Sequence, residues 1–361
     1  MSKYYVQHIA GNYLRNVAKD MPLINVHDRF LHGTSREEFT EGYHALLSLM
    51  RQLYADIAQT PADFGMLLKE ITDVYEKNVE YTNSNASLLR VPNLLYLLST
   101  NAALDTNGAL VVDGGVVSAE AKAFKITGMP ALLAKLRDYA FDINDFGKAP
   151  TTGELLTITY ADNRYLTTAL KSMADALNEL TLGDRRNPQN EWFYMMNPRL
   201  IENEQVKEPT PTFDNFLTAL DTMQGECAAA LHPILADNTK VIISKASLMR
   251  NEWICDYKLK QNKKMLAKLK STQDILSVKL NLHNINQYMH KVKAMPEKIQ
   301  HAIRTHGFEC GGCNPKCSGG FAFEMNGANY NKCHCGSFVF TDVKTEDIAY
   351  FKQLISLELT I

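Results

Sequence analysis

Five of the chain's seven cysteines fall in one short stretch, Cys310 to Cys335, which reads CGGCNPKCSGGFAFEMNGANYNKCHC. Cys310 and Cys313 form a C-x2-C with two glycines between them, a small-residue turn that lets two thiolates and nearby backbone N–H groups converge on one ion. Cys317 follows after Asn314, Pro315 and Lys316, and Cys333-His334-Cys335 closes the run. Between the two groups Phe321–Met325 alternates, Asn326-Gly327 is a strong two-residue hairpin signal, and Ala328–Lys332 returns. The hairpin folds the second cysteine group back onto the first, which is the outline of a zinc ribbon. Four thiolates are needed, and the spacing points to Cys310, Cys313, Cys317 and Cys333, with Cys335 the alternative to Cys317. His334 is expected to face solvent, and His306 lies close enough in sequence to substitute as a ligand. Four protein ligands leave no open position for water, so the expected role of the zinc is structural. An iron–sulfur cluster also takes four thiolates, but its usual spacings do not match. Disulfides fit less well, because no secretory-signal pattern opens the sequence and Cys227 and Cys255 would be left over in expected core elements.

A second set, His27, Asp28, His32 and His44, has the ligand types of an open catalytic metal site. Its spacing follows no ligand motif, so capping and surface histidines around a helix start account for it better. His283, His290, His301 and His306 sit in or beside a basic stretch and read as solvated. The P-loop, G-x-G-x-x-G, G-x-S-x-G and H-E-x-x-H patterns are all missing. The expectation is a chain without catalytic residues of its own.

These residues need elements to position them. Ser35-Arg-Glu-Glu38 has the form of a capping box, followed by an apolar face of Phe39, Tyr43, Leu46, Leu47, Met50, Leu53, Tyr54 and Ile57. A second helix is expected from Thr60 to Tyr75 and a third from about Pro92. Ala109–Asp113 and Val116–Glu120 flank a Gly-Gly pair and read as a short hairpin, followed by a helix from about Met129, a strand over Leu155–Tyr160 and a helix capped by Asp162. Helix, hairpin, helix could make a winged helix, but the Met129–Phe141 segment carries no basic cluster for reading DNA. Further on, a helix is expected over Phe213–Ala236, then strands at Val241–Ser244, Trp253–Leu259, Met265–Leu269 and Ile275–Leu282. Alternation places Trp253, Cys255 and Tyr257 on a core face and Lys258 and Lys260 on a wet one. Helices then lead into and out of the cysteine stretch.

At 361 residues two domains are the default. The expected class is α+β: a mainly helical domain at 1–187 with a small hairpin or strand element, a linker-like segment at 188–211, and an α+β domain at 212–361 whose antiparallel sheet and helices carry the cysteine cluster at 310–335. Net charge is −2, but Lys240–Arg304 holds fourteen Lys or Arg against four Asp or Glu, so that stretch carries +10 and the remainder −12. Such a stretch could engage phosphates, although only Trp253, Tyr257 and Tyr288 interleave it with aromatics. Nothing approaches a transmembrane span, so a cytoplasmic protein is expected.

The run from Trp253 to Glu358, above all the C-x2-C-N-P-K-C of Cys310–Cys317, the aromatic hairpin and Lys332-Cys333, resembles the cysteine-containing C-terminal region of uncharacterised cytosolic proteins of Gram-positive bacteria. It covers under a third of the chain. The resemblance implies a bacterial cytosolic origin and a metal role for Cys310, Cys313, Cys317 and Cys333; it carries no activity. The functional expectation is a zinc-stabilised, non-enzymatic module that binds a small molecule or a protein partner, as a sensor or adaptor would. Nucleic-acid binding through Lys240–Arg304 is the alternative, and a metal enzyme using the N-terminal histidines the third.

Overall fold

The computed structural model describes residues 2–71, 78–144, 151–180, 191–247, 249–272, 274–307, 309–310, 321–333 and 336–361. The chain is α+β and forms two compact units, Met1–Pro209 and Thr210–Ile361.

The N-terminal unit is built on helices α1 (Tyr5–Asn16), α2 (Arg36–Gln59) and α3 (Asn78–Thr100). The capping box forms as its sequence requires: Ser35 Oγ accepts from the Glu38 N–H at 3.1 Å, and a Glu38 carboxylate oxygen accepts from the Ser35 N–H at 2.9 Å. All eight residues of the expected apolar face of α2 are buried. Each contributes on the order of 1.5–3 kcal/mol of transfer free energy.

The expected helix from Thr60 is only a single 3-10 turn, Pro61–Phe64. Gly65 enters the left-handed region at φ 58° and ends it, leaving Leu67 and Leu68 exposed. The end of that expected helix, at 72–77, lies outside the described residues. Helix α3, by contrast, starts well before Pro92 and runs through it. Leu88, Leu89, Val91, Leu94, Leu95, Leu97 and Leu98 are all buried, so packing around the helix outweighs the hydrogen bond that the proline removes.

Beyond α3 come β1 (Ala103–Leu104), β2 (Leu110–Asp113), α4 (Gly114–Ala123), α5 (Met129–Arg137), β3 (Phe141–Ile143), β4 (Leu155–Tyr160), α6 (Leu166–Leu180) and the one-turn α7 (Glu191–Tyr194). The expected hairpin at Ala109–Glu120 does not form. Asp113 instead caps a helix, its carboxylate accepting from the N–H groups of Gly115 (2.8 Å), Val116 (3.2 Å) and Gly153 (3.0 Å). Gly115 must be glycine because a Cβ there would stand 2.4 Å from Thr152 Oγ1. The antiparallel sheet order is β1-β2-β4-β3. The series α3-β2-α4-α5-β3-β4, with β4 central between β2 and β3, has the connectivity of a winged helix. In the stretch expected to be linker-like, Trp192 to Met196 are buried in this unit: Tyr54 O–H donates to the Tyr194 carbonyl at 3.0 Å, and Tyr43 O–H to that of Met196 at 2.6 Å. Aromatic bulk there overrides the polar, proline-containing flanks.

The C-terminal unit opens with α8 (Phe213–Leu217) and α9 (Thr222–Asp237), two helices where one was expected. Asp221 makes the break by capping α9 through the Gln224 N–H at 2.7 Å. Strands β5 (Thr239–Ser247), β6 (Glu252–Leu259), β7 (Met265–Thr272) and β8 (Ile275–Asn281) follow, then α10 (Met289–Val292), α11 (Glu297–Thr305), the hairpin β9 (Phe321–Met325) and β10 (Ala328–Lys332), β11 (Ser337–Phe340) and α12 (Ile348–Thr360). The main sheet is antiparallel with order β11-β8-β7-β6-β5. Its register aligns Trp253, Cys255 and Tyr257 with Ser271, Leu269 and Ala267, and these with Leu276, Val278 and Leu280, all buried, beneath α8, α9 and α12. The other face carries Lys240, Lys258, Lys268, Lys270 and Lys279 among Glu252, Asp256 and half-exposed isoleucines.

Candidate metal centre and ligand cavity

The hairpin that frames the cysteines forms in the expected register. Asn326 (φ 54°) and Gly327 (φ 78°) make its turn, both in the left-handed region that an Asn-Gly pair tolerates. Phe323 stacks across the strands on Tyr330 with centroids 5.1 Å apart, and Phe321 and Phe323 meet Phe338 of the main sheet edge-on. The small ribbon is therefore anchored to β11 by its aromatic side.

Backbone pairing places the segments that carry Cys310 and Cys333 against each other. Glu309 bridges Lys332 in antiparallel sense, and the Cys310 N–H donates to the Asn331 carbonyl at 2.7 Å. In such a pair residues two apart diagonally share a face, with Cα atoms roughly 7–8 Å apart, a spacing that two thiolates on one tetrahedral ion can span. An ion pair locks the register: Lys332 Nζ lies 2.5 Å from Glu309 Oε1 and holds that carboxyl below its usual range. Cys310 is half-exposed and Cys333 exposed, and neither is in a disulfide. Gly336, at φ 74°, then turns the chain onto β11, its carbonyl accepting from the Leu282 N–H at 2.7 Å. Cys313, Cys317, His334 and Cys335 lie outside the described residues.

The two remaining cysteines are of another kind. Cys227 and Cys255 are buried, and burial raises both thiols, that of Cys255 to about 11. Cys255 belongs to a polar chain within the core, beside Tyr257, whose hydroxyl lies 2.8 Å from His232 Nδ1. Phe213 stacks on the His232 ring at 3.8 Å.

The N-terminal histidines go to separate partners. His27 Nδ1 accepts from the Arg29 N–H at 3.4 Å, Asp28 pairs with Arg36 at 2.5 Å, His32 Nε2 faces Asp175 at 3.7 Å, and His44 Nε2 meets the Met21 carbonyl at 2.7 Å. Among the described residues no three His, Cys, Asp or Glu side chains converge as a metal site. His283, His290 and His301 are exposed; His306 is half-buried, which lowers its pKa.

Five of the fourteen Lys or Arg of the basic stretch form ion pairs within their own unit. Lys268 pairs with Asp256 (3.2 Å), Lys270 with Glu252 (2.6 Å), Lys293 with Glu324 (3.4 Å) and Lys298 with Asp347 (2.6 Å), and Arg304 pairs with Glu297. The winged-helix segment is no better suited to phosphate. Asn101–Asp162 holds five Lys or Arg against eight Asp or Glu, and α5 exposes Pro130, Ala131 and Ala134. Its Lys135 lies over the rings of Phe64 and Tyr139, and Arg137 donates to the Ile143 carbonyl.

Among the described residues, four cavities of the C-terminal unit have the volume of small-ligand sites, about 480 to 600 Å³, and two of them are the more enclosed. One of about 480 Å³ lies between α11 and the segment after β11, where Lys298 is already held by Asp347 and the Asp342 carbonyl. The other, about 600 Å³, lies at the end of the main sheet, walled by the β6–β7 turn and by Asn281, His283, Asn284 and Glu358. Sequence reasoning missed this second site, whose polar groups come from positions more than seventy residues apart.

Compared with protein-family models, curated proteins and solved structures, the chain matches none. Among the described residues no helix is long and apolar enough to cross a membrane.

Proposed function

We propose that the C-terminal unit is a small-molecule-binding module whose cysteine ribbon is held by one structural zinc ion, and that the chain binds its ligand without converting it. The ligand set is Cys310, Cys313, Cys317 and Cys333, with Cys335 able to take the place of Cys317. One observation carries the metal reading: the Glu309–Lys332 bridge sets Cys310 beside the end of the strand that leads into Cys333, so both cysteine groups start from one point of the ribbon. Cavities of ligand size in the same unit support the binding reading. The ion's part is to close a loop that has no apolar core of its own. Nucleic-acid binding has less support, because the lysines of the open sheet face are interleaved with paired carboxylates.

Native mass spectrometry of the full chain tests this reading. The expected spectrum shows the polypeptide plus the mass of one zinc ion, lost together with protection of the C-terminal unit from proteolysis when a chelator is added. A metal-free mass, or the mass and visible absorbance of an iron–sulfur cluster, would refute it.

A further inference from the structure

The cavity at the end of the main sheet contains a carboxylate that has no cation among the described residues. Glu358 on α12 is half-buried and accepts from the Asn284 N–H at 3.2 Å to both oxygens, from Asn284 Nδ2 at 3.1 Å and from the Tyr288 O–H at 2.7 Å. All of these donors are neutral. These three donors fix the carboxylate and leave acceptor capacity on it, and they leave its charge uncompensated in a site partly removed from water, where a charge gains most from a counter-ion. Among the described residues Glu358 has no ion-pair partner. Burial and this carboxylate push the Tyr288 hydroxyl far above its ordinary value, so it remains a donor at any physiological pH.

The rest of the wall complements a small molecule with two charges. Lys264 lines the same cavity and makes no ion pair among the described residues, while Leu259, Met265 and Leu266 supply an apolar side. The rim already shows how an ammonium is received here. Lys260 Nζ donates at 2.7 Å to the backbone carbonyl of Asp237 at the C-terminal end of α9, where helix carbonyls lack intrahelical partners.

We propose that this cavity binds a small zwitterion, a free amino acid or a molecule of similar size and charge. Its ammonium meets Glu358, its carboxylate Lys264, and its side chain the Leu259–Met265–Leu266 wall. This rests on the reading of the unit as a small-molecule module, and not on the identity of the metal.

The test is calorimetric titration of the full, metal-replete chain with each free amino acid, with the primary amine and the carboxylic acid derived from any binder, and with amine-free dicarboxylates and sugar phosphates as controls. At least one amino acid should bind with Kd below about 1 mM, and its amine-only and acid-only fragments should bind roughly tenfold more weakly or less. Glu358→Gln keeps the acceptor oxygen and the volume, so it should unfold near the wild-type temperature and lose at least about tenfold in affinity; Lys264→Met should act on the acid half alone. An amino acid that binds Glu358→Gln as tightly as wild type overturns the assignment. Binding of a control compound alone also overturns it, while leaving the module reading intact. No binding by any compound up to about 10 mM sinks both.

Discussion

The interior of the C-terminal sheet and the mouth of its small hairpin put the same side chain to opposite uses. At Cys255, burial raises the thiol to about 11, so it stays protonated and serves as a small polar core residue beside Tyr257. Cys310 and Cys333, by contrast, are accessible and flank the Glu309–Lys332 bridge at the end of one ribbon. Cysteine count says nothing about this division. What separates the two regions is whether the element carrying the thiol faces a packed layer or ends a two-stranded ribbon with little core of its own.

The sharpest way to break the contrast is to remove the ion. On the proposal of a structural zinc, stripping metal, or Cys313→Ser, should lower the melting temperature of the C-terminal unit by about 10 °C or more, because ligand-driven folding of the loop would be lost. A scanning calorimeter measures this, and a shift under about 2 °C would show that the ribbon stands without metal. Cys255→Ser should come next. It inserts a more polar hydroxyl into a fully buried site and should cost roughly 1–3 kcal/mol by denaturant titration, with the metal content unchanged.

The pH response should be smaller and directional. The folded Cys255 thiol sits near 11, above the 9.0 of a free thiol, so the folded state keeps its proton longer than the unfolded state. Stability should therefore fall as pH rises from about 9 to about 11, by up to roughly 2 kcal/mol, and Cys255→Ala should flatten that slope. Smallest of all, Lys332→Met removes the ion pair with the exposed Glu309 and should show chiefly as weaker metal retention, with little change in melting temperature. Thiol alkylation of the metal-stripped protein sharpens the same contrast, since Cys310 and Cys333 should label before unfolding and Cys227 and Cys255 only after it.

The sequence is most readable where local chemistry and packing ask for the same thing. The Ser35–Glu38 box, the period-2 strand at Trp253–Leu259 and the Asn326-Gly327 turn are of this kind, and each forms where expected. It misleads where one residue has two uses. Asp113-Gly-Gly suits a hairpin turn, but the same carboxylate can cap a helix, and the close contact with Thr152 that favours the helix is non-local. Pro92 reads as a helix start, yet it sits inside a helix buried along most of its length. Helix α1 has buried Tyr5, Val6, Ile9, Ala10 and Tyr13 at helical spacing, a periodicity that the sequence itself carries. The candidate metal centre is a proposal from residues close in sequence, of which Cys310 and Cys333 are among the described residues and Cys313, Cys317 and Cys335 are not. The Glu358 cavity was not legible in the sequence, because Asn284, Tyr288 and Glu358 meet only after the sheet and α12 have packed.

Elemental analysis by inductively coupled plasma mass spectrometry, on wild type and Cys313→Ser purified without added metal, tests the central claim most directly. Close to one zinc per wild-type chain and well under half that in the variant is the outcome this account requires. Wild-type protein carrying neither zinc nor any other tetrahedral ion, or a variant that retains the wild-type amount, would contradict it.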